Sequence, residues 1–423
     1  MEPLFLAAIF ACNAGLFRDA LHEVYIPRIQ RGNASFAANI LGARGALLTV
    51  LVHFFEHGRW GSPIDVGVEG QELTVEDQLF ILMQARLYLT ATRGLASSEA
   101  RICCERGESL CRSLDHRSLL YSTLKGQYFY SLMTANLTAT MQIAKRLHSL
   151  AKEQNDAALM VGAYECLASV LFFCGDFDTA HESAALGVQI WRSGRVQSQV
   201  EELMAPAVVC LCYKALTEWH LGEAASHQVT MAEAVGVANQ LHDMHGLVLV
   251  LYWSTYLACL EGDFAKVGGL ASDLMETSTR LTFATWLPHA RVLRGWAQSV
   301  SGSIAEGLSS IEDGIFEYRA AGAILALPFF QALKAEALHL AGRTSEALAA
   351  LEEGETVVER SGARIWCAEL HRLRGVFLAA MCADEAQIEA SFCAAIRIAK
   401  EQKSVSLAKR AEKSYAGYQK GEL

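Results

Sequence analysis

The chain has 423 residues, 52 % of them hydrophobic and only 19 % charged, with 36 Lys and Arg against 46 Asp and Glu for a net charge of −10. That apolar content excludes intrinsic disorder, which requires low hydrophobicity and high charge. The acidic balance, with a pI near 5.7, carries none of the basic stripe that marks a nucleic-acid binder.

The first apolar run, Met1 to Cys12, has no Lys or Arg ahead of it, and Glu2 has the wrong sign for a secretory leader. It continues into Asn13, Arg18 and Asp19 at helical spacing and reads as a first repeat helix. The uncharged stretch Gly246 to Leu260 is shorter than the ~20 residues of a spanning helix. The positive mean hydropathy, +0.20, is therefore expected from buried helices. None of the 12 cysteines forms a C-x-x-C pair, so they read as core thiols of a cytoplasmic protein. Cys103 and Cys104, flanked by Arg101 and Arg106, have the alternative of a redox sensor, because nearby cations lower a thiol pKa.

Residues 1–90 read as irregular helical hairpins, with Gly58, Gly61, Pro63, Gly67 and Gly70 crowded into one loop. Residues 91–423 read as a regular array. Its turns fall at Gly175, Gly222, Gly262, Gly302 and Gly342, the last four steps being 40 residues each if Cys382 is included. Ala135 lies 40 before Gly175, and Gly94, Gly58 and Gly15 extend the series less evenly. The step from Gly175 to Gly222 is 47, which places seven extra residues in Ser193–Glu202, either a passive linker or an insertion on a binding face. Seven residues before most anchors stands a small residue, as at Ala168, Ala215, Gly295, Ala335 and Gly375. Gly187, Ala234, Gly314, Gly354 and Ala394 stand twelve after. Helices that cross closely in a hairpin require small residues at the crossing. Period-3.6 apolar faces run between these positions, and paired alternating strand runs are absent. The fold predicted is all-α: a right-handed α-solenoid of helical hairpins with a period of about 40 residues.

Three stretches sharpen this reading. They are Ala368-Glu-Leu-His-Arg-Leu-Arg-Gly375-Val-Phe-Leu with Glu389-Ala-Ser-Phe392-Cys-Ala-Ala-Ile, Leu293-Arg-Gly295-Trp296-Ala, and Ala335-Glu-Ala-Leu with Gly342-Arg-Thr-Ser-Glu-Ala347-Leu. Over residues 90–415 the chain resembles the C-terminal tetratricopeptide arm of bacterial signalling ATPases, in which a nucleotide cyclase or a winged-helix domain precedes an AAA/STAND-type ATPase. The resemblance implies an arm that senses a protein partner or small inducer, with an ATPase or cyclase domain in cis or in trans. No G-x-x-x-x-G-K-[ST] loop and no cyclase carboxylate pair occurs here, so no catalytic residue or cofactor is carried over.

In such stacks the first helix of each hairpin lines a concave groove, with groove positions three, six and ten residues before the anchor. That rule selects Glu165, Phe172, Trp219, Tyr252, Tyr256, Trp296, Glu336, His339 and Arg372, with Ser169, Leu216, Cys259 and Ser299 beside them. Aromatic residues and Arg anchor partners in pockets. The expected function is a non-catalytic binding or sensor module that touches neither nucleic acid nor membrane.

Two alternatives stand beside it. His53-Phe-Phe-Glu56-His57 spells an inverted zincin motif, in which two His one helical turn apart would hold zinc and Glu56 would act as base of a metal-dependent hydrolase. The other is a self-assembling scaffold without a ligand. His242 and His245 flank a helix start at Asp243 and read as polar capping. Arg397, Lys400, Lys403, Lys409, Arg410 and Lys413, interleaved with Glu401 and Glu412, read as a solvated face or cap rather than a nucleic-acid stripe.

Overall fold

A computed structural model of the chain describes all residues except 33–35, 40, 65–67, 115–116, 195–202, 282 and 423, and the side chains of 38–39, 113–114, 117–118 and 224. Most of the Ser193–Glu202 insertion therefore lies outside the described residues. The described residues are helical with no strand; a single bridge pairs Phe55 with Pro63. Two compact units are present, Met1–Tyr130 with Leu281–Ala284, and Ser131–Arg280 with Thr285–Leu423.

The first unit contains α1 (Glu2–Asn13), α2 (Phe17–Asp19), α3 (Phe36–Asn39), α4 (Arg44–Leu51), α5 (Val75–Arg93), α6 (Ser98–Leu114) and most of α7 (Arg117–Met133). After α2 the chain winds as a π-helix over Ala20–Ile29. Pro27 within it supplies no backbone N–H. Thr74 and Asp77 form a reciprocal capping box that starts α5. Asp77 also receives His22, whose Nε2 lies 2.8 Å from Oδ1. A buried polar cluster links the layers: Gln30 donates to Tyr88 Oη at 2.7 Å and to Tyr25 Oη at 3.1 Å.

The second unit is a series of hairpins. Its helices are α8 (Leu137–Gln154), α9 (Ala157–Cys174), α10 (Phe177–Arg192), α11 (Pro206–Leu221), α12 (Ala224–Gln240), α13 (Met244–Glu261) and α14 (Phe264–Arg280). There follow α15 (Trp286–Val300), α16 (Ile304–Ala320), α17 (Leu327–Leu340), α18 (Thr344–Ser361), α19 (Cys367–Ala380), α20 (Glu385–Glu401) and α21 (Val405–Gln419). The odd-numbered helices from α9 to α21 pack on one another in succession as an inner layer, and the even-numbered ones back them from outside. Helix α9 is 18 residues long, with a mean hydropathy of 1.9, and 61 % of it is buried within the protein. Its apolar character is used in helix packing.

Every turn anchor read from the sequence has a positive φ, including the non-glycines Ala135 (φ 57°) and Cys382 (φ 51°), and Gly175, Gly222 and Gly262 are left-handed in both angles. That conformation ends the first helix of a hairpin while its last carbonyls are still paired. The small residues at the crossings also act as expected. A Cβ on Gly295 would lie 2.6 Å from the Gly307 carbonyl oxygen, and one on Gly314 would lie 2.8 Å from that of Pro288. Backbone meets backbone there, so no side chain can yield. Gly269, exposed in the middle of α14, has open space where its Cβ would go.

The two sites separate packing from propensity. Gly295→Ala should destabilise the protein by about 1–3 kcal/mol through overpacking. Gly269→Ala should stabilise it by about 0.5–1 kcal/mol through helix propensity. Urea unfolding followed by circular dichroism reads both, and shifts of the same sign would refute the assignment of the close crossing.

Candidate functional site

The inner layer of the second unit carries two connected systems. One is aromatic. Phe172 on α9 packs on Tyr213 and His220 of α11 at 5.5 and 5.6 Å between ring centres, and on Trp253 of α13 at 5.6 Å. Trp253 packs on Tyr256 at 5.3 Å, and Tyr256 reaches Phe329 on α17 at 5.0 Å. Tyr252, one turn earlier, joins Trp286 and His289 on α15. These rings fill the inner face with edge-to-face contacts.

The second system is charged. Trp296 Nε1 on α15 donates to Glu336 Oε2 on α17 at 2.9 Å. Arg372 on α19 lies 3.9 Å from the other Glu336 oxygen and donates twice to Glu369, at 2.9 and 2.6 Å. Arg410 on α21 donates to the same Glu369 carboxylate at 3.1 Å and to the Leu260 carbonyl at the end of α13 at 2.6 Å. Burial raises the Glu369 pKa, but Arg372 and Arg410 together outweigh it and hold the carboxyl at about 2. Burial pushes Glu336 upward against the pull of Arg372.

The expected groove residues divide accordingly. Trp296, Glu336 and Arg372 share the charged network. Phe172, Tyr252 and Tyr256 share the aromatic one. Glu165, 1 % exposed, lies deep in α9, near Tyr213, whose hydroxyl pKa is raised first by burial and then by nearby groups including Glu165. Trp219 joins the aromatic system through His220, 4.9 Å away between ring centres, and donates to Glu261 at 3.2 Å beside His227. His339 has Nδ1 3.1 Å from Thr344 Oγ1 in its own hairpin and its ring against Phe377 of α19. The expected exposure of this face requires correction: Glu165, Phe172, Trp219, Tyr252, Tyr256, Trp296 and Arg372 are all buried. The inner layer closes on itself, because α21 returns to α11 and the turn Arg364–Trp366 returns to α9.

Two alternatives raised by the sequence fall, and the reading of the basic face divides. His53 and His57 do not share a helical face. Phe55 between them is extended (φ −120°, ψ 136°) and His57 is left-handed. His53 Nδ1 meets Asn13 at 3.1 Å, and Glu56 pairs with Arg59. The zinc geometry is therefore lost, and among the described residues no group of three or more His, Cys, Asp and Glu could hold a metal ion. Cys103 and Cys104 are buried, and burial pushes both thiols up, Cys104 to about 12. This is opposite to what a redox sensor needs. The basic C-terminal face is only partly solvated: Arg397 and Lys400 pair with Glu401 and Glu412 outside, while Arg410 turns inward. Asp243 does cap α13, accepting from Gly246 N at 2.8 Å.

The groove rule missed Glu369 and Arg410. Glu369 lies thirteen residues before Cys382, outside the rule's positions, and Arg410 lies beyond the last anchor. Their one sequence signal is the helical spacing of Glu369 and Arg372.

No family model matches the chain. Over 330 residues, 77 % of its length, it is 22 % identical to the uncharacterized protein R02095 of Rhizobium meliloti (strain 1021). The chain spans 32 % of that protein, about a third of the relative's length. Among solved structures, a Rap protein complexed with Competence and Sporulation Factor superposes with a TM-score of 0.50 at 12 % identity, covering 80 % of this chain and 98 % of that one. The APC/C hetero-tetramer Cut9–Hcn1 superposes with a TM-score of 0.40 at 10 % identity, covering 96 % and 83 %. The fold is a tetratricopeptide-like helical-repeat solenoid.

The depressed Glu369 pKa sets a pH window. The carboxylate contributes full stability above the unfolded value, near 4.5, and loses it as pH falls toward about 2. Glu369→Gln should cost about 3 kcal/mol at pH 7, because it leaves the buried Arg372 and the half-buried Arg410 short of a partner. Urea midpoints of the variant and the parent should converge below pH 4.5; a constant gap down to pH 2 would contradict the ion-pair assignment.

Proposed function

We propose that the second unit is a non-catalytic, cytoplasmic binding module. Its inner face takes a protein segment or small inducer, and the bound state is relayed to an ATPase or cyclase domain in cis or in trans. The observation that carries the reading is the charged network. Trp296, Glu336, Arg372, Glu369 and Arg410 come from four separate helices and meet at one place. Glu336 and Arg410 each keep 26 % of the side chain open to solvent. An array that places aromatic and bidentate cationic groups together at a partly open inner face has the chemistry of a recognition surface.

Two comparisons support this reading. The chain matches one third of a longer bacterial relative, as an arm of a multidomain protein would. The Rap protein of related fold was solved with a partner, Competence and Sporulation Factor. Signal transfer would follow from a ligand that binds one curvature of the array more tightly than another.

The test is capture from the native lysate by the full chain, read by mass spectrometry. Wild type should recover a protein carrying an ATPase, cyclase or DNA-binding domain. Glu336→Gln keeps side-chain volume, Trp296→Phe keeps an aromatic ring without the N–H, and both should lower that recovery at least tenfold with helicity unchanged. Equal recovery by both variants would overturn the assignment of the inner face.

A further inference from the structure

Helix α21 packs on α19 and α20 and also on α11, nearly 200 residues earlier. The joint between them is built from polar groups. Ser404 Oγ lies 2.9 Å from Nδ1 of the fully buried His220, and Ser406 Oγ donates to the Trp219 carbonyl. Lys403, with its side chain 69 % exposed, pairs with Asp178 at the start of α10. Arg410 closes the joint, bridging Glu369 and the Leu260 carbonyl.

Two anchors are shaped for this joint and the others are not. A Cβ on Gly175 would lie 2.3 Å from Gln402 Nε2, and one on Gly222 would lie 2.9 Å from Val405 Cγ1. At Gly262, Gly302 and Gly342 the same Cβ would meet nothing within 4 Å. The turn between α20 and α21 is seated directly on the first two. Toward α19 and α20 the helix is held by Leu407, Ala408 and Ala411 and by Tyr415 and Tyr418, whose rings pack on Phe392 at 5.5 and 6.0 Å. Toward α11 it is held mainly by polar bonds, and a contact of that kind opens before the rest of the protein.

We infer that α21 is a displaceable resident of the inner face, and that the partner segment replacing it is a helix with an arginine at the position of Arg410. This rests on the protein-binding reading above. The cradle determines the occupant's chemistry: a carboxylate, Glu369, and a helix-terminal carbonyl, Leu260, converge on one guanidinium. A lysine offers a single point charge and cannot satisfy both acceptors in a fixed plane. While α21 is docked it competes at an effective concentration of order mM, so the incoming segment binds only when the joint is weakened.

The probe is a fluorescent synthetic peptide of residues 403–419, added to the full chain at micromolar concentration. Wild type should bind it at least tenfold more weakly than the Arg410→Ala chain. Adding Glu369→Gln to that chain should abolish the gain, and a peptide with its own arginine replaced by alanine should not bind. Equal binding by wild type and Arg410→Ala, or by the two peptides, would overturn the inference.

A second measurement leaves the core untouched. Lys403→Glu reverses an exposed ion pair and should speed amide hydrogen exchange in residues 405–419 about two- to fivefold, with α9 and α20 unchanged. Asp178→Lys in the same chain should restore the parental rate. No change in 405–419 would refute the displaceable helix. Neither experiment uses a lysate partner, so failure here is distinguishable from failure of the binding function.

Discussion

The second unit depends on the approach of helix backbones at small residues. At Gly295 and Gly307 the carbonyl of one helix occupies the place a side chain would take on the other. Such crossings pull paired helices together on one side and leave the bulky residues to fill the other. Small residues recur at the same offset along the 40-residue step from Gly222 to Cys382, which keeps bulk out of each crossing. The inner helices therefore form one contiguous layer, and the aromatic residues they carry meet across it.

That packing has an electrostatic consequence. As the array closes, Glu369 loses solvent, and burying a lone carboxylate would be prohibitive. It is tolerated because Arg372 and Arg410 approach from α19 and α21 and hydrogen-bond both oxygens. Buried ion pairs contribute less to net stability than to selecting one arrangement over others. Here the arrangement selected is the closed one, with α21 seated against α11. His220 follows the same logic in reverse. Having no carboxylate beside its ring, it stacks on Phe177 at 3.8 Å and burial depresses its pKa to about 3. At the buried centre of the joint a neutral imidazole meets a serine, while the second ion pair, Lys403 with Asp178, sits at its exposed rim.

Residues that looked equivalent in the sequence therefore do different work. Gly262 and Gly342 are turn residues only, whereas Gly175 and Gly222 are turn residues that also receive the α20–α21 turn. Arg397 and Arg410 belong to one basic stretch, yet one pairs in solvent with Glu401 and the other caps an inner helix 150 residues away. Trp296 and His339 both satisfy the groove rule, but only Trp296 enters the charged network.

The hairpins, their period, their turns and the positions of the crossings were legible in the sequence, because each is governed by contacts within about 40 residues. A left-handed turn needs a particular residue at one position, and a close crossing needs a small one at a fixed offset. The aromatic character of the inner face was legible for the same reason. Its closure was not. Whether an array stays open or returns on itself depends on small rotations summed over all its hairpins, which no single repeat encodes. The pairing of Glu369 with Arg410, the seating of Gln402 on Gly175 and the extended backbone that separates His53 from His57 were decided by tertiary structure. There, which groups lose water, and which partners then reach them, depends on elements far apart in the chain.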